Sequence, residues 1–373
     1  MDKQISYERY HRQLILKDFG EAAQQKLLQT KVLVIGAGGL GCPALQYLTA
    51  AGVGTIGIAD DDIVSLSNLH RQVLYGVNDI GKAKAETATI KLKQLNPEIN
   101  FHIHHFRITN DNAVEIIKQY EIIIDGSDNF ATRYLVNDAC VLLDKTLVYG
   151  AVSQYEGQVA VFNHKSHSDS PAVNYRDLFP VPPGKNEILN CAEAGVLGVL
   201  PGIIGSMMAN ETIKLITGTG KPLVNSLLTY DSRNNQLFEI ELLPKQETRS
   251  LIPADIETFN NNNYEELCAA DSSFEIDTAI FSELLESENI IVVDVREKDE
   301  VPLVNEFAHV KIPLSRLTEF TGEFKAETIV LFCQSGKRSL QGAKQLSAVL
   351  DKDQKIFSLK DGIVKWKQQK QQV

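Results

Sequence analysis

The sequence predicts an α/β protein: a doubly wound, mainly parallel sheet with an antiparallel extension, followed by a smaller α/β domain. Three observations predict it. Short β-branched runs alternate with helix-forming segments from Lys31 to Val152, the order expected of parallel strands buried between helices. A G-x-G-x-x-G turn, with glycines at Gly36, Gly38 and Gly41, separates the first run from its helix. Beyond an asparagine run at 260–263 the strand–helix alternation starts again.

Residues 3–30 read as helical, with Tyr7, Tyr10, Ile15 and Leu16 at helix spacing and Gly20 as a break. Lys31–Ile35 is a buried strand, Pro43–Ala51 a helix, and Thr55–Ala59 a second strand that ends in Asp60, Asp61 and Asp62. This strand–turn–helix–strand–acid order suits phosphate binding. The glycines let the backbone approach a phosphate, the helix start offers free N–H groups, and an acid can hold ribose hydroxyls. A loop from Asp60 to Gly81 is long enough to expect function. Helix Lys82–Leu95, strand Ile99–His105, helix Val114–Tyr120 and strand Glu121–Asp125 follow, the last ending in Gly-Ser-Asp-Asn at 126–129. Helix Arg133–Leu143 and strand Leu147–Val152 complete the alternation. Asp60 and Asp128 both fall at strand carboxyl ends, where such sheets bind ligands.

Gly157–Phe162, Ser226–Asp231 and Gln236–Leu242 read as antiparallel strands, and the uncharged but glycine-broken run near Ala194–Asn210 as a tightly packed helix and its approach. The domains are expected at 1–245 and 276–373, with a linker over 246–275. In the second, Ile290–Val295, Thr328–Cys333 and Gln354–Leu359 are strands and Leu340–Leu350 is a helix.

Charge and composition exclude several classes. The formal charge is −11 with no basic cluster, which argues against nucleic acid and anionic membranes as partners. No stretch has the roughly 20 predominantly apolar residues of a membrane span. The polar start lacks the apolar core of a signal peptide. Five scattered cysteines point to free thiols in a reducing compartment. A cytoplasmic location is expected.

For the glycine turn, a nicotinamide oxidoreductase is the plain reading. Against it stand the string Asp60–Arg71, the second polar cluster at 126–129, and the basic pair Lys82 and Lys84. Cations and an extra carboxylate suit a triphosphate with Mg²⁺. The motifs Glu8–Gln13 (E-R-Y-H-R-Q), Gly36–Cys42, Asp60–Gln72 (D-D-D-I-V-S-L-S-N-L-H-R-Q), Gly81–Lys84, Asp125–Asn129 and Cys191–Gly198 (C-A-E-A-G-V-L-G) occur in this order. As a set they resemble the MoeB/ThiF/HesA family, bacterial relatives of ubiquitin-activating enzymes, over roughly residues 5–243.

The resemblance implies a Rossmann-like ATP site and adenylation of the C-terminal glycine of a ubiquitin-like sulfur carrier ending in Gly-Gly. It implies phosphate contacts at Gly36, Gly38, Gly39 and Gly41, ribose contact at Asp60, and triphosphate contacts at Asn68, Arg71 and Lys84. Asp128 would bind Mg²⁺. Arg12 would reach the site from a second subunit, so a homodimer is implied. Asp61 has no role in this reading, and Asp62 could merely solvate the loop. Asn68 and Arg71 could instead brace their loop, Cys42 packs under the turn, and Cys140 is core. Cys191 is either a nucleophile or a loop cysteine without catalytic weight. A non-catalytic module that docks ubiquitin-like proteins is a further alternative.

Most of the family holds a structural zinc with two C-x-x-C pairs. Here Asn174-Tyr175-Arg176-Asp177 stands at the first pair, and 244–252 has no cysteine for the second. Zinc wants thiolate or imidazole ligands, so no structural zinc is expected. The histidine sets His102/His104 and His164/His167 lack further ligands nearby in sequence.

Cys333 ends a strand and opens C-Q-S-G-K-R-S ahead of a helix. A thiol there, with Lys337 and Arg338 beside it, is expected to be activated. With V-D-V-R-E at 293–297 and L-K-D-G-I-V-K-W at 359–366, this loop resembles a rhodanese-like domain over roughly 276–369, in which that cysteine carries sulfane sulfur. Asp294 and Arg296 look like an ion pair that serves structure. A phosphatase reading competes, but such loops space Cys and Arg one residue further apart. The resemblance thus implies sulfur transfer from a Cys333 persulfide, loaded by a donor such as a cysteine desulfurase, to give a thiocarboxylate. A carrier of the molybdopterin synthase small-subunit type is favoured over one of the thiamine pathway.

Overall fold

A computed structural model describes residues 4–165, 171–182, 195–265, 274–287, 289–297, 299–347, 349–350 and 354–370. The chain divides into two compact units; of the described residues, 4–265 belong to the first and 274–370 to the second.

The first unit is built on an eight-stranded sheet. Its strands are β1 (Lys31–Ile35), β2 (Thr55–Ala59), β3 (Asn100–His104), β4 (Ile122–Asp125), β5 (Thr146–Ser153), β6 (Glu156–Phe162), β7 (Ser226–Asp231) and β8 (Gln236–Glu241). They lie in the order β3-β2-β1-β4-β5-β6-β7-β8. The first five are parallel and the rest antiparallel. The predicted doubly wound sheet with an antiparallel extension is therefore present. Val32, Val34, Ile56, Ile58, Ile122 and Ile124 all belong to the buried core that the β-branched runs foretold.

Helices α1 (Tyr7–Leu14) and α2 (Gly20–Gln29) precede the sheet, and Gly20 breaks them apart in the left-handed region at φ 63°. Helices α3 (Gly41–Ala51), α4 (Lys84–Leu95), α5 (Asn110–Ile117) and α6 (Phe130–Leu142) connect the parallel strands. A single helical turn, α7 (Tyr175–Leu178), follows β6, and the long α8 (Leu200–Thr217) buries Leu200, Ile204 and Met208 in the sheet core. Among the described residues, no helix is long and apolar enough to cross a membrane.

The stretch expected as a linker is a correction. Residues Glu247–Leu251 form a 3-10 helix and Ile256–Asn261 form α9, both within the first unit. Phe259 and Tyr264 are buried. The Tyr264 hydroxyl donates to Asp138 Oδ2 at 2.8 Å, and Asn110 Nδ2 donates to the carbonyls of Phe259 and Asn262. The asparagine run suggested a solvated tether, but the two aromatics that flank it supply enough burial to hold the segment down.

The second unit holds a parallel five-stranded sheet of β9 (Glu275–Ile276), β10 (Ile290–Asp294), β11 (Val310–Lys311), β12 (Thr328–Phe332) and β13 (Lys355–Leu359), ordered β11-β10-β12-β13-β9. Helices α10 (Thr278–Leu284), α11 (Lys337–Ser347) and α12 (Gly362–Lys370) belong to it. Trp366, the sole tryptophan, is buried against Phe281 and Phe307.

Candidate functional site

In the first unit β1 lies between β2 and β4, so the connections after β1 and β4 leave in opposite directions. A crevice opens at their carboxyl ends. Gly36 leaves β1 at φ 89°, and a Cβ there would meet the Gly126 carbonyl oxygen at 2.8 Å. A Cβ on Gly41 would stand 1.8 Å from the Gly36 carbonyl oxygen. Glycine is required at both, the first for its dihedral and the second for close packing of the turn on α3.

Asp60 organises this turn. Its Oδ2 accepts the Ala37 N–H at 2.7 Å and its Oδ1 accepts the Asp62 N–H at 2.9 Å. Burial pushes its carboxyl above the usual range, opposed by the nearby Lys84 ammonium. Lys84 itself is almost enclosed and pairs with Asp62 Oδ2 at 2.8 Å. Asp62 therefore does more than solvate the loop. The phenol of Tyr75 donates to the Ala37 carbonyl at 2.9 Å and lies 3.3 Å from the Lys84 carbonyl, tying the glycine turn to the start of α4.

Gly36, Gly38, Gly39, Asp60, Arg71, Lys84 and Asp128 all line this one crevice. Three further candidates do not. Gly41 is packed beneath the turn at the start of α3. Asn68 lies outside the lining, with its Oδ1 accepting Arg71 Nη2 at 2.9 Å. Arg12 is exposed on α1 and lies outside the crevice of its own chain. Cys191 lies outside the described residues, as does His167.

The sequence reading missed other lining residues, among them Gln72, Arg107 and Arg133. Arg133 is buried and donates to the Ser127 carbonyl and the Tyr149 hydroxyl, steadying the turn that carries Asp128. Its only signal in the sequence was a cation on a helix of mainly apolar residues. Cys42 lies under the turn with Sγ 3.3 Å from the Ala37 carbonyl, and burial pushes its thiol up to about 12. Cys140 is buried.

Asp128 is exposed and takes no hydrogen bond or ion pair among the described residues. A free carboxylate facing a crevice lined with Lys84 and Arg71 fits Mg²⁺, which keeps several waters and is held by one or two carboxylates plus phosphate oxygens. Among the described residues no group of three or more histidine, cysteine or acidic side chains could hold a metal by itself. Zinc does not fit at 174–177. There Asp177 Oδ2 accepts the backbone and side-chain N–H of Asn174, while Oδ1 accepts the Lys245 N–H and the Thr248 hydroxyl. One carboxylate thus joins the two loops by hydrogen bonds. His102 and His104 both meet the Tyr120 hydroxyl, at 3.2 and 2.8 Å, and His164 meets Thr146.

In the second unit Cys333 directly follows the central strand β12 and is fully buried. Ser339 places its hydroxyl 3.6 Å from the thiol and 2.8 Å from Ser358. Gly336, at φ 88°, is needed because a Cβ there would meet the Asp361 amide at 2.8 Å. Asp294 and Arg296 form a buried bidentate pair, as expected of structural residues. Arg338 is less available to the thiol than its sequence position suggested. Its Nη1 and Nη2 donate to both oxygens of Glu300, at 2.5 and 2.6 Å.

Residues 10–251 match the ThiF family, and residues 277–369 match the rhodanese-like domain. The chain belongs to the ThiF family. It is an enzyme of the adenylyltransferase type with an appended sulfurtransferase domain. Its relatives include the protein of Mycobacterium tuberculosis named "Probable adenylyltransferase/sulfurtransferase MoeZ", 42% identical over 368 residues that span 97% of this chain and 93% of that one. The "Sulfur carrier protein adenylyltransferase" of Thermus thermophilus is 52% identical over 225 residues, 60% of this chain and 83% of its own. The crystal structure of Escherichia coli MccB, 20% identical, superposes with a TM-score of 0.56 over 65% of this chain and 72% of that one, a likeness of fold.

Proposed function

We propose that the first unit uses ATP with Mg²⁺ to adenylate the C-terminal glycine of a ubiquitin-like sulfur carrier. Cys333 of the second unit then supplies sulfur to the activated carboxyl. The observation that carries the reading is the crevice itself. Glycine amides, cations that include Arg71 and Lys84, and a carboxylate without a partner among the described residues line one crevice, the set a nucleoside triphosphate needs.

In this reading the amides of Gly38 and Gly39 hold phosphate oxygens and Asp60 holds the ribose. Arg71, steadied by Asn68, and Lys84 neutralise the triphosphate. Asp128 holds Mg²⁺, which screens the phosphate charge. Arg12 is supplied by a second copy of the chain, making a homodimer. The carrier carboxylate attacks the α-phosphorus and pyrophosphate leaves, so the protein's work is positioning and charge neutralisation. The terminal sulfur of a Cys333 persulfide then attacks the acyl carbon and AMP leaves. The Cys191 thiol is the candidate to attack the Cys333 sulfur of the resulting acyl disulfide, which frees the thiocarboxylate and leaves a Cys191–Cys333 disulfide for a dithiol reductant to reopen before the next loading. A persulfide-bearing enzyme such as a cysteine desulfurase loads Cys333, and the setting is the cytoplasm. The naming of relatives as adenylyltransferase/sulfurtransferase and as sulfur carrier protein adenylyltransferase supports this chemistry. The S-L-S-N-L-x-R-Q string and the domain fusion favour a molybdopterin-type carrier.

The test is mass spectrometry of candidate carriers incubated with the full chain, ATP, Mg²⁺ and a charged cysteine desulfurase. Replacement of one oxygen by sulfur on a single carrier would identify it. No change on any carrier, despite ATP binding, would overturn the reading. Cys333→Ala should abolish sulfur transfer and spare carrier-dependent pyrophosphate exchange. Binding of NAD in preference to ATP would favour an oxidoreductase instead.

A further inference from the structure

We infer that Glu300 determines which sulfur donor the second unit accepts. By filling the guanidinium fork of Arg338, it turns the Cys333 site away from small sulfane anions such as thiosulfate and reserves it for a persulfide carried by another protein. The inference rests on the proposed role of Cys333 as the sulfur carrier.

Thiosulfate loads a thiolate when the thiolate attacks the sulfane sulfur. The new S–S bond leaves a perthiolate on the cysteine, and the S–SO₃ bond breaks with its electron pair departing on sulfite. No outside oxidant is required, but the doubly charged anion must be held at the loop while this occurs. The loop has two cations for the purpose, Lys337 and Arg338. Lys337 is exposed to solvent and offers a hydrated point charge, whereas the planar fork of arginine matches an oxyanion with two parallel hydrogen bonds.

That fork is occupied. Both terminal nitrogens of Arg338 donate to the two oxygens of Glu300. The same pairing holds the Glu300 carboxyl at about 2, so it stays ionised throughout the neutral range. Glu297, Asp299 and Glu300 line one cleft with Lys311 and Arg316, so its acidic groups outnumber its basic ones and it offers a dianion no net positive field. A thiosulfate ion would have to displace an internal carboxylate whose entropy of association is already spent by the fold. A persulfide on a protein needs no such anchor. Its terminal sulfur is transferred to the Cys333 thiolate, its own thiolate leaves, and contacts between the proteins supply the positioning.

The test uses the full chain as wild type, Glu300→Gln and Glu300→Gln/Arg338→Ala. Each is loaded with thiosulfate or with a cysteine desulfurase charged with L-cysteine. Mass spectrometry of the Cys333 peptide follows the addition of one sulfur over time. The ratio of the thiosulfate rate to the protein-persulfide rate should rise about tenfold or more in Glu300→Gln. It should return toward wild type in the double variant. An unchanged ratio in folded Glu300→Gln, or a rise that survives loss of Arg338, would overturn the inference. Should Glu300→Gln fail to fold, Glu300→Asp keeps the charge but shortens the reach, and a smaller rise is expected. Failure of wild type to gain sulfur at Cys333 from either donor would instead overturn the underlying sulfur-carrier reading.

Discussion

The Lys84 ammonium lies 2.8 Å from the Asp62 carboxylate, its side chain 4% exposed while that of Asp62 is 72% exposed. An enclosed cation is thus balanced by a carboxylate that reaches in from solvent. A triphosphate entering the crevice would offer the same cation a stronger partner. Asp62→Asn should therefore lower thermal stability without nucleotide and enlarge the stabilisation that MgATP confers. Differential scanning fluorimetry with and without MgATP reads both. Lys84→Ala should cut carrier-dependent pyrophosphate exchange by about 10²-fold or more, the usual effect of deleting one preorganised charge-stabilising group.

Gly41→Ala places a methyl group 1.8 Å from a backbone oxygen. No side-chain rotation relieves such a clash, so the turn must move. The expected cost is at least about 2 kcal/mol in chemical denaturation, together with loss of ATP binding by calorimetry.

Asp177 gathers four hydrogen-bond donors from two loops. Asp177→Ala would leave two backbone N–H groups, those of Asn174 and Lys245, without their acceptor. The Asn174 N–H is buried and that of Lys245 half-buried; a buried orphan costs about 1–3 kcal/mol, so a fall of several degrees in melting temperature is expected. A chelator should leave the wild-type melting temperature unchanged. Element analysis that found one tightly held zinc per chain would contradict the hydrogen-bonded clasp.

Arg338 depresses the Glu300 carboxyl from its ordinary 4.5 to about 2. A depressed acid stabilises the fold fully above its unfolded value, and that contribution fades as pH falls through the folded one. The stability advantage of wild type over Glu300→Gln should be complete above about pH 5 and vanish near pH 2. Trp366, the sole tryptophan, reports this locally, because it is buried in the second unit. Its fluorescence during urea titration at several pH values supplies the measurement.

The sheet was legible because parallel strands buried on both faces leave continuous β-branched runs, as in Val32–Ile35 and Ile122–Ile124. Gly36, Asp60, Arg71, Lys84 and Asp128 were legible because local motifs fix their spacing. Asp62 was not, since a third acid in a run looks like a solvated charge until the fold brings up an enclosed lysine from 22 residues away. The Arg338–Glu300 pair spans 38 residues and depends on how β10 and β12 adjoin, which no local pattern records. The fate of 246–265 was hidden for a related reason. Polar composition marks a tether, yet two aromatic anchors among many polar residues suffice to dock it.

That docking has a practical consequence for anyone who wishes to prepare the two halves separately. A fragment stopped at the composition boundary, residue 245, would lose Phe259 and Tyr264, both nearly inaccessible in the intact first unit. It would uncover an apolar patch on α5 and α6. The Asp138 carboxylate, which pairs with Arg176 in the interior, would also lose its phenol partner. Such a fragment invites precipitation for reasons unrelated to its catalytic residues. A fragment that ends at Glu265 keeps the aromatic plug and should be the soluble one.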